Sequence, residues 1–396
     1  MMRIKAFFNL HKHKYSMRNG LACLPLFLMA LLLFLGTLAQ AAPAKKLFTL
    51  NGRISSALFL KDGRMVYVPV KMEKDTYLPD DEVLCVDRHG TRLWSCTIPP
   101  CRLPWGGPHL MSGGRIGLVC QREDGKRYLE IISAEGRRLP PRPLPLDFKP
   151  LLPIGDAVFG TRQEGKALKI HQILPDGQTV HTAFDRVNED SSLLWAWPKG
   201  EGHLLHILGR MSQEDVLSRR TGPQWLIFLD QDGRQISERT AFLPDVNFLN
   251  GFNSDAAPNR LGGLTALRTD TRTDDTLNRF SILVFGPGAQ LVSEWTYTLN
   301  ASCVCPLLID ERAGGGYTVY GNGNMAEQDN SGFVFRMEVD EQGAVLSCAG
   351  KKAEGSHVVR YLNGQPYVFN AWVSWVAPFD ALPSLSLKAK RTSALK

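Results

Sequence analysis

The sequence carries none of the short signatures of common enzyme chemistry. It has no H-E-x-x-H, no G-x-S-x-G elbow, no P-loop, no dinucleotide fingerprint and no C-x-x-C-H haem attachment site. No helical 3.6-residue apolar pattern of useful length occurs, and the composition excludes a collagen-like or coiled-coil chain. Charge of one sign is scarce as well. The 396 residues hold 46 Lys and Arg against 39 Asp and Glu, net +7. Five of those bases, Arg3, Lys5, Lys12, Lys14 and Arg18, fall in residues 1–41, which contain no acid. Beyond them 41 bases face 39 acids, and so near-neutral a chain has no global field to draw in nucleic acid. Disorder is excluded too, because 44% of residues are hydrophobic and only 21% charged.

One long apolar run is present. Residues 21–38 follow Arg18 and end in Ala39-Gln40-Ala41, an A-x-A cleavage pattern. A positive flank, an apolar stretch and small residues before a cut predict a secretory signal peptide over 1–41. Translation from Met17 would leave a leader of more ordinary shape. Cys23 precedes most of the apolar run, which argues against a lipoprotein. After residue 42 no run is apolar enough to span a membrane. The expected address is the periplasm, with secretion as the alternative.

The remaining chain, 42–396, repeats itself. Six segments place an apolar residue, three loop residues, a Gly, two residues and another apolar residue in one frame. They start at Val86, Ile132, Ile173, Leu229, Val284 and Val339, with glycines at 90, 136, 177, 233, 288 and 343. Each predicts a β-hairpin whose Gly takes the φ > 0 position of the turn. Successive glycines are 41–56 residues apart, which leaves room for a second hairpin between each pair, for example around Leu58, Leu110, Leu152, Ala196, Leu307 and Val359. Two hairpins make a four-stranded unit with the period of a propeller blade. The fold expectation is therefore all-β: a single β-propeller of four-stranded antiparallel blades, seven in number, with six as the alternative. The stretch Lys45-Lys-Leu-Phe-Thr-Leu-Asn-Gly52 has no partner of its own, and the hairpin at Val359–Phe369 lacks one downstream. The N-terminal strand is expected to close the last blade, which removes exposed edges.

The segment Val86-Asp-Arg-His-Gly-Thr-Arg-Leu-Trp94 resembles the blade repeat of the PQQ-like propellers, which include quinoprotein dehydrogenases and outer-membrane assembly scaffolds. The resemblance implies that Asp87, Asp230 and Asp340 open their turns, that the six glycines complete them, and that Trp94 docks between blades. Only Trp94 matches that docking position. The vicinal Cys-Cys pair of the catalytic quinoproteins is missing; the nearest feature is Cys303-Val304-Cys305. The resemblance thus speaks for the fold rather than for an enzyme.

In such a fold the short Gly-rich turns share one face. The other face carries long loops (71–81, 209–223, 268–278, 322–331) and blade crossings (97–109, 184–194, 241–257). Binding is expected there, because function favours long loops on a rigid scaffold. Arg102, Trp105, Asp185, Arg186, Asn188, Asn247, Asn250, Asn253 and Asp255 are the candidate ligand-binding residues, suited to a protein, a peptide or a polar ligand. Asn and Asp also stabilise loops through their own backbone, and that reading competes at each of these positions. Asn324, Glu327, Asp329 and Asn330, and Asp270, Asp274 and Asp275, offer oxygens to Ca²⁺, but without EF-hand spacing they read as solvated loops. No metal or cofactor is expected.

Seven cysteines follow the leader: Cys85, Cys96, Cys101, Cys120, Cys303, Cys305 and Cys348. An exported address favours disulfides, and the odd count leaves one thiol over. One bridge is expected from Cys348 to Cys303 or Cys305, and one or two among the first four. The alternative at Cys303 and Cys305, a metal or redox site, rests on two side chains that share a strand face. The basic tail Lys388–Lys396 reads as a frayed terminus. Together these features point to a non-enzymatic binding or scaffold propeller, a monomer or part of a periplasmic complex, engaging a protein, peptide or envelope component. The alternative is a propeller enzyme: a quinone-cofactor oxidoreductase, or a lyase or hydrolase with a channel site.

Overall fold

The computed structural model describes residues 46–73, 76–102, 107–148, 151–164, 167–174, 178–186, 192–199, 202–208, 224–229, 235–241, 256–269, 278–286, 291–325 and 332–395. All belong to the compact unit Ala44–Lys396. The expected leader lies outside the described residues.

These residues form seven antiparallel sheets. Sheet I contains Ile54–Phe59, Met65–Glu73, Glu82–Val86 and Arg92–Thr97, with Thr76–Pro79 folded back on the second strand. In sheet II the first position is split between Cys101–Arg102 and His109–Leu110; Ile116–Arg122, Arg127–Ile132 and Arg138–Leu144 follow. Sheets III and IV run from Leu151–Ile154 to Thr179–Arg186 and from Ser192–Lys199 to Gln235–Ala241. Sheet V runs from Ala256–Pro258 to Leu291–Leu299, and sheet VI from Cys303–Glu311 to Val345–Lys352. Sheet VII takes His357–Tyr361, Gln365–Asn370 and Trp375–Pro378, and its fourth strand is Phe48–Thr49. Phe48 pairs with Val376 and Thr49 with Trp375, so the N-terminal strand closes the last sheet. The architecture is a β-propeller.

The core lies between sheets. Cys85, Cys96, Leu118 and Cys120 pack sheet I on sheet II. Val119, Leu129, Val158 and Ile173 join II to III. Phe280, Tyr297, Val319 and Phe335 join V to VI, and Leu308, Val334, Val358 and Val368 join VI to VII. Phe48, Met65, Tyr361 and Val376 close VII onto I. Where these clusters form, the sheets bury faces against their neighbours, so their strands alternate less than a half-exposed sheet would.

The turn chemistry follows the residues. Asp87 Oδ1 accepts from the backbone N–H of His89 and Thr91 at 2.8 and 2.9 Å, and Gly90 N donates to the Asp87 carbonyl at 3.0 Å. Asp340 repeats this with Gln342 and Ala344. Ser133 Oγ takes the same part for Glu135 and Arg137.

Two features depart from the sequence reading. The tail is not frayed. Ser384–Leu385 pairs with the outer strand of sheet VI, and Ala389–Leu395 with that of sheet V, making each five-stranded. An unpaired outer strand is a template for another strand, and here the tail fills it. The bridge drawn from Cys348 to Cys303 or Cys305 does not form either. Cys303 and Cys305 lie on the first strand of sheet VI and Cys348 on its fourth. Three strand spacings amount to about 14 Å, roughly twice what a disulfide tolerates.

Candidate functional site on the loop face

The two faces of the propeller differ. On the turn face, neighbouring sheets are fastened by polar contacts. Tyr361 Oη donates to the Gly63 carbonyl, and Asn363 N to the Lys61 carbonyl at 2.6 Å. Arg360 reaches the Asp310 carboxylate at 2.7 Å and the Ile309 carbonyl at 2.8 Å. Arg260 bridges Glu311 and Glu341, both at 2.9 Å. Ser112 and Arg115 hold Asp156. These groups are committed to joining blades.

The loop face carries a groove of about 520 Å³ between sheets I and II. Lys71, Leu78 and Asp81 form one wall, Gln121 and Arg122 the other. The first wall exists because Met65–Glu73 overruns its sheet and pairs with Thr76–Pro79, Val70 opposite Pro79. Lys71 Nζ and Asp81 Oδ2 meet at 2.9 Å. On the second wall Arg122 is fixed from two sides. Its guanidinium lies 3.8 Å from the Tyr128 ring centroid, and Nη2 donates to Glu130 Oε1 at 2.7 Å. The Glu130 side chain is 1% exposed and also accepts from Arg138 Nε at 3.1 Å. The hydrogen bond to Glu130 raises Arg122 above its ordinary value, so its charge is permanent. The groove thus offers a fixed cation, an ion pair and an apolar strip formed by Leu78, Pro79 and Pro100.

Elsewhere on this face, large apolar side chains stand in water. Met72 is 66% exposed, Trp372 61% and Val373 57%. Trp372 and Val373 occupy the turn between Gln365–Asn370 and Trp375–Pro378 of sheet VII. That turn is braced. Asn370 Oδ1 accepts from the N–H of Trp372 and Val373 at 3.0 and 3.1 Å. Ser374, at φ +49°, donates through Oγ to the Gly52 carbonyl, and its own carbonyl accepts from Leu50 N at 2.7 Å. Arg53 links the two sheets: its guanidinium lies 4.7 Å from the Trp372 ring centroid and its carbonyl accepts from Val70 N at 3.0 Å.

Of the candidates from sequence, Arg102 lies in a two-residue strand opposite Gln121, a wall of the groove. Asp185 and Arg186 end the outermost strand of sheet III, Arg186 opposite Leu168. Trp105, Asn188, Asn247, Asn250, Asn253 and Asp255 lie outside the described residues, as do Asp270, Asp274, Asp275, Glu327, Asp329 and Asn330. Asn324 sits in a strand opposite Gly332. Among the described residues no group of three metal-ligating side chains converges, and no helix is long and apolar enough to cross a membrane. Sequence reading missed Trp372, Val373, Met72 and Arg122. Only the register of sheet VII shows that 371–374 is a loop-face turn.

No protein family and no curated protein matches the chain. Solved structures do. Kluyveromyces lactis Hsv2 is 11% identical, with a TM-score of 0.47 over 87% of this chain and 99% of that one. The β-propeller domain of the Trilobed protease from Pyrococcus furiosus is 10% identical, with a TM-score of 0.44 over 86% and 97%. Puromycin hydrolase is 14% identical, with a TM-score of 0.47 over 85% of this chain and 55% of that chain. The fold assignment rests on the sheet topology above, and no activity carries over from these proteins.

Proposed function

We propose that the chain is an exported, non-enzymatic binding propeller that engages a protein or peptide on its loop face, in the periplasm. The observation that carries this is Trp372, an aromatic side chain 61% exposed on a turn braced by the Asn370 side chain and by the Leu50 and Gly52 backbone. An exposed aromatic on a rigid support has little ordering entropy to lose on binding, which is how interface anchors work. The groove between sheets I and II, on the same face, adds the Arg122 guanidinium held by Glu130 and an apolar strip. The leader pattern at 1–41 supports export. The likeness to PQQ-like propellers is supported by Trp94, which packs on the turn glycine of the next blade, Gly136.

The test compares the wild-type chain with a Trp372→Ser, Val373→Ser variant in a chemical crosslinking experiment in cells. The proposal expects a discrete complex with the wild type, and its loss in the variant at unchanged Tm. A complex of equal yield in the variant, or turnover of a substrate by the purified protein, would overturn it.

A further inference from the structure

Four thiols meet where sheet I packs on sheet II, and their geometry separates them. Cys85 and Cys96 lie on adjacent strands, opposite Trp94 and Val83, and each thiol turns to a nearby carbonyl: Cys85 Sγ to Val86 O, Cys96 Sγ to Thr97 O, both at 3.9 Å. Cys101 and Cys120 behave differently. The strand Cys101–Arg102 pairs with Ile116–Arg122, Cys101 opposite Arg122, which puts Cys120 on the same face one diagonal away. Both pack into the apolar layer between sheets I and II. Cys101 lines the loop-face groove and is partly exposed, whereas Cys120 is fully buried behind it.

We infer that Cys101 and Cys120 are a disulfide-forming pair, oxidised from the groove by a disulfide oxidant through thiol–disulfide exchange, while Cys85 and Cys96 stay reduced. Cys101 is the entry point, since it alone of the two can be reached. The Cys120 thiol beside it also holds the Cys101 thiol below its ordinary value, and the same proximity together with burial pushes Cys120 up. The Cys101 thiolate attacks one sulfur of the oxidant's disulfide and expels the other as thiolate, giving a mixed disulfide. Cys120 then loses its proton and attacks Cys101 Sγ, expelling the second oxidant thiolate. The protein loses two electrons and two protons, and the oxidant is reduced to two thiols. The bond ties down the first strand of sheet II where it is split. There residues 101–102 and 109–110 pair at opposite ends of Ile116–Arg122. The inference does not depend on the binding reading, because it concerns only the thiols.

The test treats the full chain with oxidised glutathione, then denatures it in an alkylating agent and digests it with trypsin. The expected product links Leu93–Arg102 to Ile116–Arg122, two hydrogens lighter than the sum of the peptides, with Cys96 alkylated. A Cys101→Ser chain, treated alike, should yield Ile116–Arg122 alkylated and unlinked. Full alkylation of Cys101 and Cys120 after oxidation of the wild type would overturn the inference, and so would a link from Cys85 or Cys96. The wild type should also lose a few degrees of Tm on reduction, and Cys101→Ser should show no such difference.

Discussion

Trp94 lies flat against Gly136. A β-carbon on Gly136 would stand 2.5 Å from Trp94 Cγ, and the indole Nε1 donates to the Ala134 carbonyl at 3.2 Å. The residue is on the outer strand of one blade and the glycine in the last turn of the next. The same contact recurs at Trp295 on Gly343 and at Phe48 on Gly90. It is a repeated joint, and it requires glycine twice over: for the ring, and for a left-handed φ of +86° at Gly136.

Gly136→Ala should therefore cost about 2–4 kcal/mol, the backbone strain of a non-glycine at this φ plus the displaced ring. Gly125, at φ +78° with open space around its would-be β-carbon, provides the control. Gly125→Ala should cost only the strain, about 1–2 kcal/mol. Urea midpoints of the two variants measure the difference, and equal costs would remove the joint from the account.

Stability should fall as the solution is acidified from about pH 6.5, the ordinary histidine value. Burial depresses His109 to about 4 and lowers His357. The unfolded chain protonates these rings first, so the stabilisation is complete above the unfolded value and is lost as pH falls toward 4. Urea midpoints at pH 7.5, 6 and 4.5 should decline, less steeply in His109→Gln. A flat profile between pH 7.5 and 5 would contradict this.

The C-terminal tail should be structural. Leu387 is buried against Gly350, and Arg391 Nη1 donates to the Gln342 carbonyl at 2.6 Å. Leu387→Ala should cost about 2–3 kcal/mol. Truncation after Pro383 should lower Tm and promote self-association through the uncovered outer strand of sheet V, visible by light scattering.

Glu130 should hold the second groove wall together. Glu130→Ala removes the partner of both Arg122 and Arg138 and should cost about 1–3 kcal/mol, toward the lower end because both arginines reach water. Glu130→Gln should retain part of that. Chemical denaturation of the three chains checks the order.

Local chemistry made much of this fold legible. The glycine frame marked the outer hairpin of six sheets, and at Gly90, Gly136 and Gly343 a left-handed turn that also receives an aromatic ring leaves no other residue. The lone Lys45–Gly52 strand pointed to closure. The tail strand Ala389–Leu395 was not legible: its residues show no apolar alternation, and only an unpaired neighbouring edge makes it a strand. The opening hairpin of sheet V, around Arg260–Gly263, also lacked a frame. Cys348 was misjudged because a strand's place within its sheet is a long-range property. The site was less legible than the fold. Trp372 differs from a core tryptophan only in where the register of sheet VII puts it, and most loop candidates lie outside the described residues.

The central claim is that the loop face binds and the turn face does not. A photo-crosslinking amino acid placed at Trp372 and, separately, at Leu261 on the turn face tests it directly in cells. Leu261 is 48% exposed, comparable to Trp372. The account predicts a discrete adduct from position 372 and none from 261. Adducts from 261 alone, or from neither position, would contradict it.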